Sequence, residues 1–237
     1  MLKVLMVVCV LIVLTDADEE PLKCHQLSKR QVQHSCVLSP ESTEGPYYIP
    51  HQKIRSNVTE GKPGLPLELN LVINDATNCK RLANVVVDIW QCDAMGHYSG
   101  IVEGRPVRGR RREPTNNSTF LRGRQITNEN GEVTFHTIYP GWYLGRTAHI
   151  HIEVFADGER KHTGQLYFPD EISRQVATNM KPYSSQRSKL YTNTQDFIFQ
   201  RDQGLKTTLK IIGAEKSRWW SSNRAGLRAN LVIGIKA

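Results

Sequence analysis

The sequence predicts an all-β chain: a β-sandwich with long loops and at most one or two short helices. Three observations carry that expectation. Several short segments alternate apolar and polar residues with period two, the pattern of a strand with one buried face. Turn-forming residues separate them at close intervals, as in Asn74-Asp75, Asn130-Gly131 and Pro140-Gly141. Helical spacing shows in one stretch, Asp170–Met180. The chain has 237 residues, 39% of them hydrophobic. That is enough for one sizeable core, and too apolar for a disordered or low-complexity chain.

The N-terminus reads as an address. Lys3 precedes an apolar run, Val4–Leu14, of 11 residues, too short to cross a hydrocarbon core of ~30 Å. Thr15-Asp16-Ala17 follows, so residues 1–17 are expected to be a secretory signal peptide cut near Ala17. Residues 18–40 read as a polar extension carrying Cys24 and Cys36, and residues 41–237 as the sandwich domain. Export places the mature chain outside the cell. Without Cys9, four cysteines remain (Cys24, Cys36, Cys79 and Cys92). An even count in a secreted chain points to two disulfides, with all three pairings open.

The strands follow in order. Leu67–Ile73 alternates at its start, and Asn84–Trp90 is rich in β-branched residues. Glu132–Tyr139, Ala148–Phe155, Gly164–Phe168, Asp196–Gln200, Thr207–Ile212 and Leu227–Ile235 complete the set. In the helix, Asp170 is the expected N-cap, with Ile172 and Val176 on one face. Lys and Arg outnumber Asp and Glu by 31 to 23, for a net charge of +8, which favours an acidic partner without naming one. Arg105–Arg112 is the densest basic run and reads as a solvated loop. No aromatic residues interleave with its arginines as a single-strand reader requires, so nucleic acid is not an expected partner. No membrane span is expected either.

Chemistry concentrates in Arg146–Glu153. On a strand, His149, His151 and Glu153 share one face while Ile150 and Ile152 share the other. A His-x-His pair on one face can converge on one metal ion, although the polar face of an edge strand has the same pattern. No cysteine pair has zinc-finger spacing and there is no His-Glu-x-x-His helix. Two tyrosines stand in turn-rich segments nearby: Tyr143 after Tyr139-Pro-Gly-Trp, and Tyr98 after Asp93-Ala-Met-Gly-His. A phenol titrates near pH ~10, so a trivalent ion is the natural partner for a tyrosine ligand. Two phenolates, two imidazoles and a hydroxide would leave an Fe(III) centre neutral.

Several motifs occur in order: Thr43-Glu-Gly-Pro-Tyr-Tyr48, Val87–Ser99, Phe120-Leu-Arg-Gly123, Thr137–Tyr143 and Arg146-Thr-Ala-His-Ile-His151. Over roughly residues 40–200 the chain resembles the intradiol ring-cleavage dioxygenases, the family of catechol 1,2-dioxygenase and protocatechuate 3,4-dioxygenase. The resemblance implies a β-sandwich, which with the N-terminal address makes a secreted single-domain form of the family. It also implies a non-haem Fe(III) held by Tyr98, Tyr143, His149 and His151. Arg146 and Gln165 would contact the substrate, Tyr143 and Arg146 would take part in catalysis, and Pro46 and Tyr47 would wall the pocket. The implied partners are catechol-type diols and O2, and the implied products are cis,cis-muconates. The alternative is a secreted binder of phenols that kept the fold and lost catalysis. A second rival is an Fe(II) site built from His149, His151 and Glu153. Thr147 departs from the proline common in the family before Ala-His. The chain lacks the family's helical dimerisation segment, so a monomer is expected.

Overall fold

The computed structural model describes residues 37–101, 114–143, 145–216 and 225–237, all within the unit His34–Ala237. The expected signal peptide 1–17, most of the extension 18–40 and the basic run Arg105–Arg112 lie outside the described residues.

Period-two segments form two four-stranded sheets. The first has the order β4-β1-β8-β7, built from β1 (Pro66–Asp75), β4 (Glu132–Ile138), β7 (Lys210–Lys216) and β8 (Ala225–Ile235). Its β1–β8 pair is parallel and the others are antiparallel. The second has the order β3-β2-β5-β6 and is antiparallel throughout, with β2 (Val86–Trp90), β3 (Arg122–Ile126), β5 (His149–Ala156) and β6 (Glu159–Tyr167). One core joins the sheets. Leu67, Leu69, Leu71 and Ile73 of β1 share it with Val87 and Ile89 of β2, Ile150, Ile152 and Val154 of β5, and Leu166 of β6. Each of these side chains is fully buried and contributes about 1.5–3 kcal/mol relative to exposure.

The expected all-β class does not hold. Between β6 and β7 the chain forms α1 (Asp170–Asn179) and α2 (Phe197–Arg201), with 3-10 helices at Tyr183–Lys189, Asn193–Gln195 and Gly204–Thr207. With its two sheets the protein is a mixed α/β fold. Asp196–Gln200, expected as a strand, is α2 with Asp196 as its N-cap. The Asp196 side chain accepts from Ile198 N and Phe199 N. That local hydrogen bonding outweighs the β propensity of Phe-Ile-Phe. The α1 N-cap is Pro169 rather than Asp170, and Asp170 Oδ1 instead accepts from Asn193 N. Val176 of α1 is buried and Ile172 packs against the core.

The expectation of two disulfides also fails. Cys79 is disulfide-bonded, but Cys92 is a buried free thiol, packed with Tyr48, Trp90 and Tyr98. Burial pushes its pKa up, so it stays protonated. No helix among the described residues is long and apolar enough to cross a membrane.

Candidate active site

The face of the second sheet turned away from the core carries the polar chemistry. Cross-strand register places Arg122 of β3, Trp90 of β2, His151 of β5 and Gln165 of β6 in one row. Arg124, Asp88, Glu153 and Thr163 form the next row. Such a face would be solvated if left open. Here the segment after Ser42 covers it, with Ser42 N donating to Thr163 O, Gln165 Nε2 to Thr43 O and Arg55 N to Arg124 O. Gly45, at φ 75°, passes so close that a Cβ there would lie 3.2 Å from His151 Cε1.

His149 and His151 are both buried, with Nε2 atoms 3.2 Å apart. His149 Nδ1 lies 2.7 Å from Thr147 O. A carbonyl only accepts, so Nδ1 carries the proton and the Nε2 lone pair faces His151. Burial holds both imidazoles well below the usual histidine pKa; Arg146 adds to this at His149, and His149 and Arg146 at His151. Both rings are therefore neutral donors at pH 7. Trp90 stacks on His151 at 4.8 Å and 9°.

Two loops bring tyrosines to the same point. Arg146 N donates to Tyr143 O, closing a turn through Gly145 at φ 80°, and Tyr143 Oη comes within 3.4 Å of His149 Nε2. The Tyr98 ring lies 6.0 Å from that of Tyr143 and 6.2 Å from that of His151. Its hydroxyl is buried and makes no hydrogen bond of acceptable geometry. Burial raises both phenols, Tyr98 well above the usual value and Tyr143 to about 12 with Arg146 opposing. A buried phenol oxygen beside an unprotonated imidazole nitrogen, with a second buried phenol next to it, forms a donor set that suits a cation. Two tyrosines and two histidines suit a hard trivalent ion such as Fe(III).

Arg146 stands beside this set. Its Nε donates to Asp196 Oδ2 at 2.9 Å, its Nη1 is 3.4 Å from Tyr143 Oη, and its Nη2 donates to Gln165 Oε1. Burial works against the charge, but Tyr143 and Asp196 hold it on the guanidinium. Tyr47 stacks on Tyr98 at 4.2 Å and 15° and stands edge-on to Tyr143. Pro46 is half-buried in the turn just before it. The structure thus brings Tyr98, Tyr143, His149, His151, Arg146, Gln165 and Tyr47 together.

Glu153 takes a different role. It is bonded to Arg160 Nη1 at 3.2 Å, and its carboxyl is raised to about 7 by burial and by Glu44. Among the described residues no three His, Cys, Asp or Glu side chains gather as a metal site, so a set of His149, His151 and Glu153 is not formed. Sequence reasoning missed two residues. Asp196 is fully buried and binds both Arg146 Nε and Thr147 N; an Asp before an apolar triplet is an N-cap signal that could have flagged it. Arg122 is buried beneath Tyr98, and burial lowers its pKa to about 10. Its motif was visible but no chemistry attached to it.

A family model described as Dioxygenase matches residues 43–196. The chain is similar to chlorocatechol 1,2-dioxygenase of Rhodococcus opacus, 28% identical over 56% of this chain and 55% of that one. It is also similar to catechol 1,2-dioxygenase of Acinetobacter baylyi, 32% identical over 54% of this chain and 45% of that one. It therefore spans about half the length of these relatives. Among solved structures it resembles an intradiol ring-cleavage dioxygenase from Tetranychus urticae, with 38% identity and a TM-score of 0.76 over 84% of this chain and 95% of that one.

Proposed function

We propose, from the premise that this chain belongs to the intradiol ring-cleavage dioxygenase superfamily, that it cleaves catechol-type diols with O2 at a non-haem Fe(III) centre. The observation that carries this reading is the convergence of Tyr98, Tyr143, His149 and His151, with the two Nε2 atoms 3.2 Å apart. These four residues would hold the metal. When bound, Fe(III) supplies the Lewis acidity that draws electron density from the diol ring and opens it to O2.

The chain's own residues supply the rest. As a phenolate, Tyr143 would take the proton of one diol hydroxyl and a hydroxide the other, with Arg146 Nη1 close enough to steady the exchange. The Arg146 charge, fixed by Asp196 and Gln165, stabilises negative charge developing on the ring. Tyr47 and the segment around Gly45 cover the site and exclude bulk water. The relation of substrate to product requires both atoms of O2 in a muconate-type diacid. The reading includes export of the mature chain, tested by N-terminal sequencing of protein recovered from culture medium. The activity itself is tested by O2 uptake with catechol after iron is supplied. One O2 is consumed per diol and a muconate accumulates. His149→Ala loses at least about a hundredfold in activity, the loss expected even for partners one step from a metal. An active, iron-replete His149→Ala protein would contradict the ligand assignment.

A further inference from the structure

Four arginines of the second sheet or its approach meet the covered face, and three have carboxylate partners. Arg124 is held by Asp88 at 2.6 Å, Arg146 by Asp196 at 2.9 Å, and Arg160 by Glu44 at 3.0 Å and Glu153 at 3.2 Å. Arg122 differs. It is 1% exposed, yet its donors reach only neutral acceptors. Nε donates to Ser99 Oγ at 2.8 Å, Nη2 to Ser99 O at 2.8 Å and Nη1 to Tyr47 O at 2.6 Å. Among the described residues no carboxylate is bonded to it. A buried guanidinium without a counter-charge is costly, and such a group persists where a negative charge is expected nearby. The guanidinium carbon lies 5.9 Å from the centre of the Tyr98 ring, whose hydroxyl is buried beside Tyr143. Two of the acceptors belong to Ser99, next in the chain to Tyr98, and the third to Tyr47, whose ring stacks on Tyr98. Every bond that the Arg122 guanidinium makes therefore also holds Tyr98 or its cover.

We propose that Arg122 is a positioning residue for Tyr98, a fixed positive charge that balances the Tyr98 phenolate and sets how strongly it donates to the metal. The proposal rests on the reading of Tyr98 as a ligand to Fe(III). The charge, rather than the hydrogen bonds alone, is the active feature. Removing it raises the energy of the phenolate electrons, so charge transfer to the metal moves to longer wavelength.

The test uses the full chain loaded with Fe(III), as wild type, Arg122→Gln and Arg122→Lys. The readout is the visible tyrosinate-to-iron band, with thermal unfolding as the check of folding. Arg122→Gln is expected to shift the band to longer wavelength. Arg122→Lys, which keeps the charge with fewer hydrogen bonds, is expected to leave the band near its wild-type position. A folded Arg122→Gln protein with an unchanged band overturns the proposal. Equal shifts in the Gln and Lys variants also overturn it, because they would make Arg122 a clamp only. Where Arg122→Gln does not fold, Arg122→Lys and Ser99→Ala decide: bands kept in both support the fixed charge, and a displaced band in either overturns it. A wild-type protein that takes up no Fe(III) overturns the ligand reading and this proposal with it, whereas a coloured wild type with an indistinguishable Gln variant overturns the proposal alone.

Discussion

At Asp196 one carboxylate serves four donors. Oδ2 takes Arg146 Nε and Thr147 N, and Oδ1 takes Ile198 N and Phe199 N. The same side chain therefore starts α2, aims the arginine beside the candidate ligands and pins the backbone two residues ahead of His149. An ordinary N-cap is worth about 1 kcal/mol. Loss of this one also leaves a buried guanidinium without its carboxylate. Asp196→Ala is expected to cost about 3 kcal/mol or more in urea unfolding, well beyond a cap; a cost near 1 kcal/mol would show that Arg146 finds another partner. Residues of this kind are hard to read in a sequence, because Asp196 and Arg146 meet only after 50 positions of chain have folded. The His-x-His pair was legible, since alternation on a strand is local. Tyr98 and Tyr143 stood out through their motifs, and the bond partners of Arg122 were invisible until β3 was in place.

At the scale of elements, the two tyrosine-bearing loops are built against each other. Gly141 N donates to Asp93 O, and Gly96 turns the Tyr98 loop at φ 87° directly under the Tyr143 loop. A Cβ at Gly96 would lie 2.6 Å from Trp142 O. Both the backbone conformation and the close approach need glycine there. Gly96→Ala is expected to destabilise the protein by about 2 kcal/mol or more and to weaken Fe(III) binding, measured by urea unfolding and chelator competition. Unchanged metal binding would mean the two loops set their tyrosines independently. The strands with apolar-polar alternation were legible from the sequence. Strand β3 was not, because Arg-Gly-Arg-Gln has no apolar inward pattern; of its outer side chains, Arg122 is buried by loop residues Ser99 and Tyr47, and Arg124 is half-buried against Asp88 of β2. The helices between β6 and β7 were mostly missed for a related reason. Apart from α1 they are seven residues or shorter, too brief for periodicity, and are fixed by caps such as Asp196 and the Thr192/Gln195 box.

The whole molecule combines a two-sheet core with a covered face of histidines that must stay neutral. His136, His149 and His151 are buried and lie below the ordinary histidine value, chiefly through burial. The unfolded chain takes up protons at these positions near pH ~6.5, while the folded chain does not. The unfolded state then binds more protons as pH falls, so stability is lost on acidification below that value and is present above it. In metal-free protein, urea unfolding between about pH 7.5 and 5 is expected to show this loss. His136→Gln, on the other sheet from the site, should flatten part of it; a slope unchanged by that substitution would place the proton uptake elsewhere. The central claim is that two phenolates and two imidazoles hold Fe(III) on the covered face of the second sheet, and the visible spectrum of the purified, iron-supplied protein tests it most directly. The expected result is a tyrosinate-to-Fe(III) band that shifts when catechol is added without O2 and is weakened and displaced in Tyr98→Phe. A protein that remains colourless with iron supplied, or whose colour survives Tyr98→Phe unchanged, would contradict it.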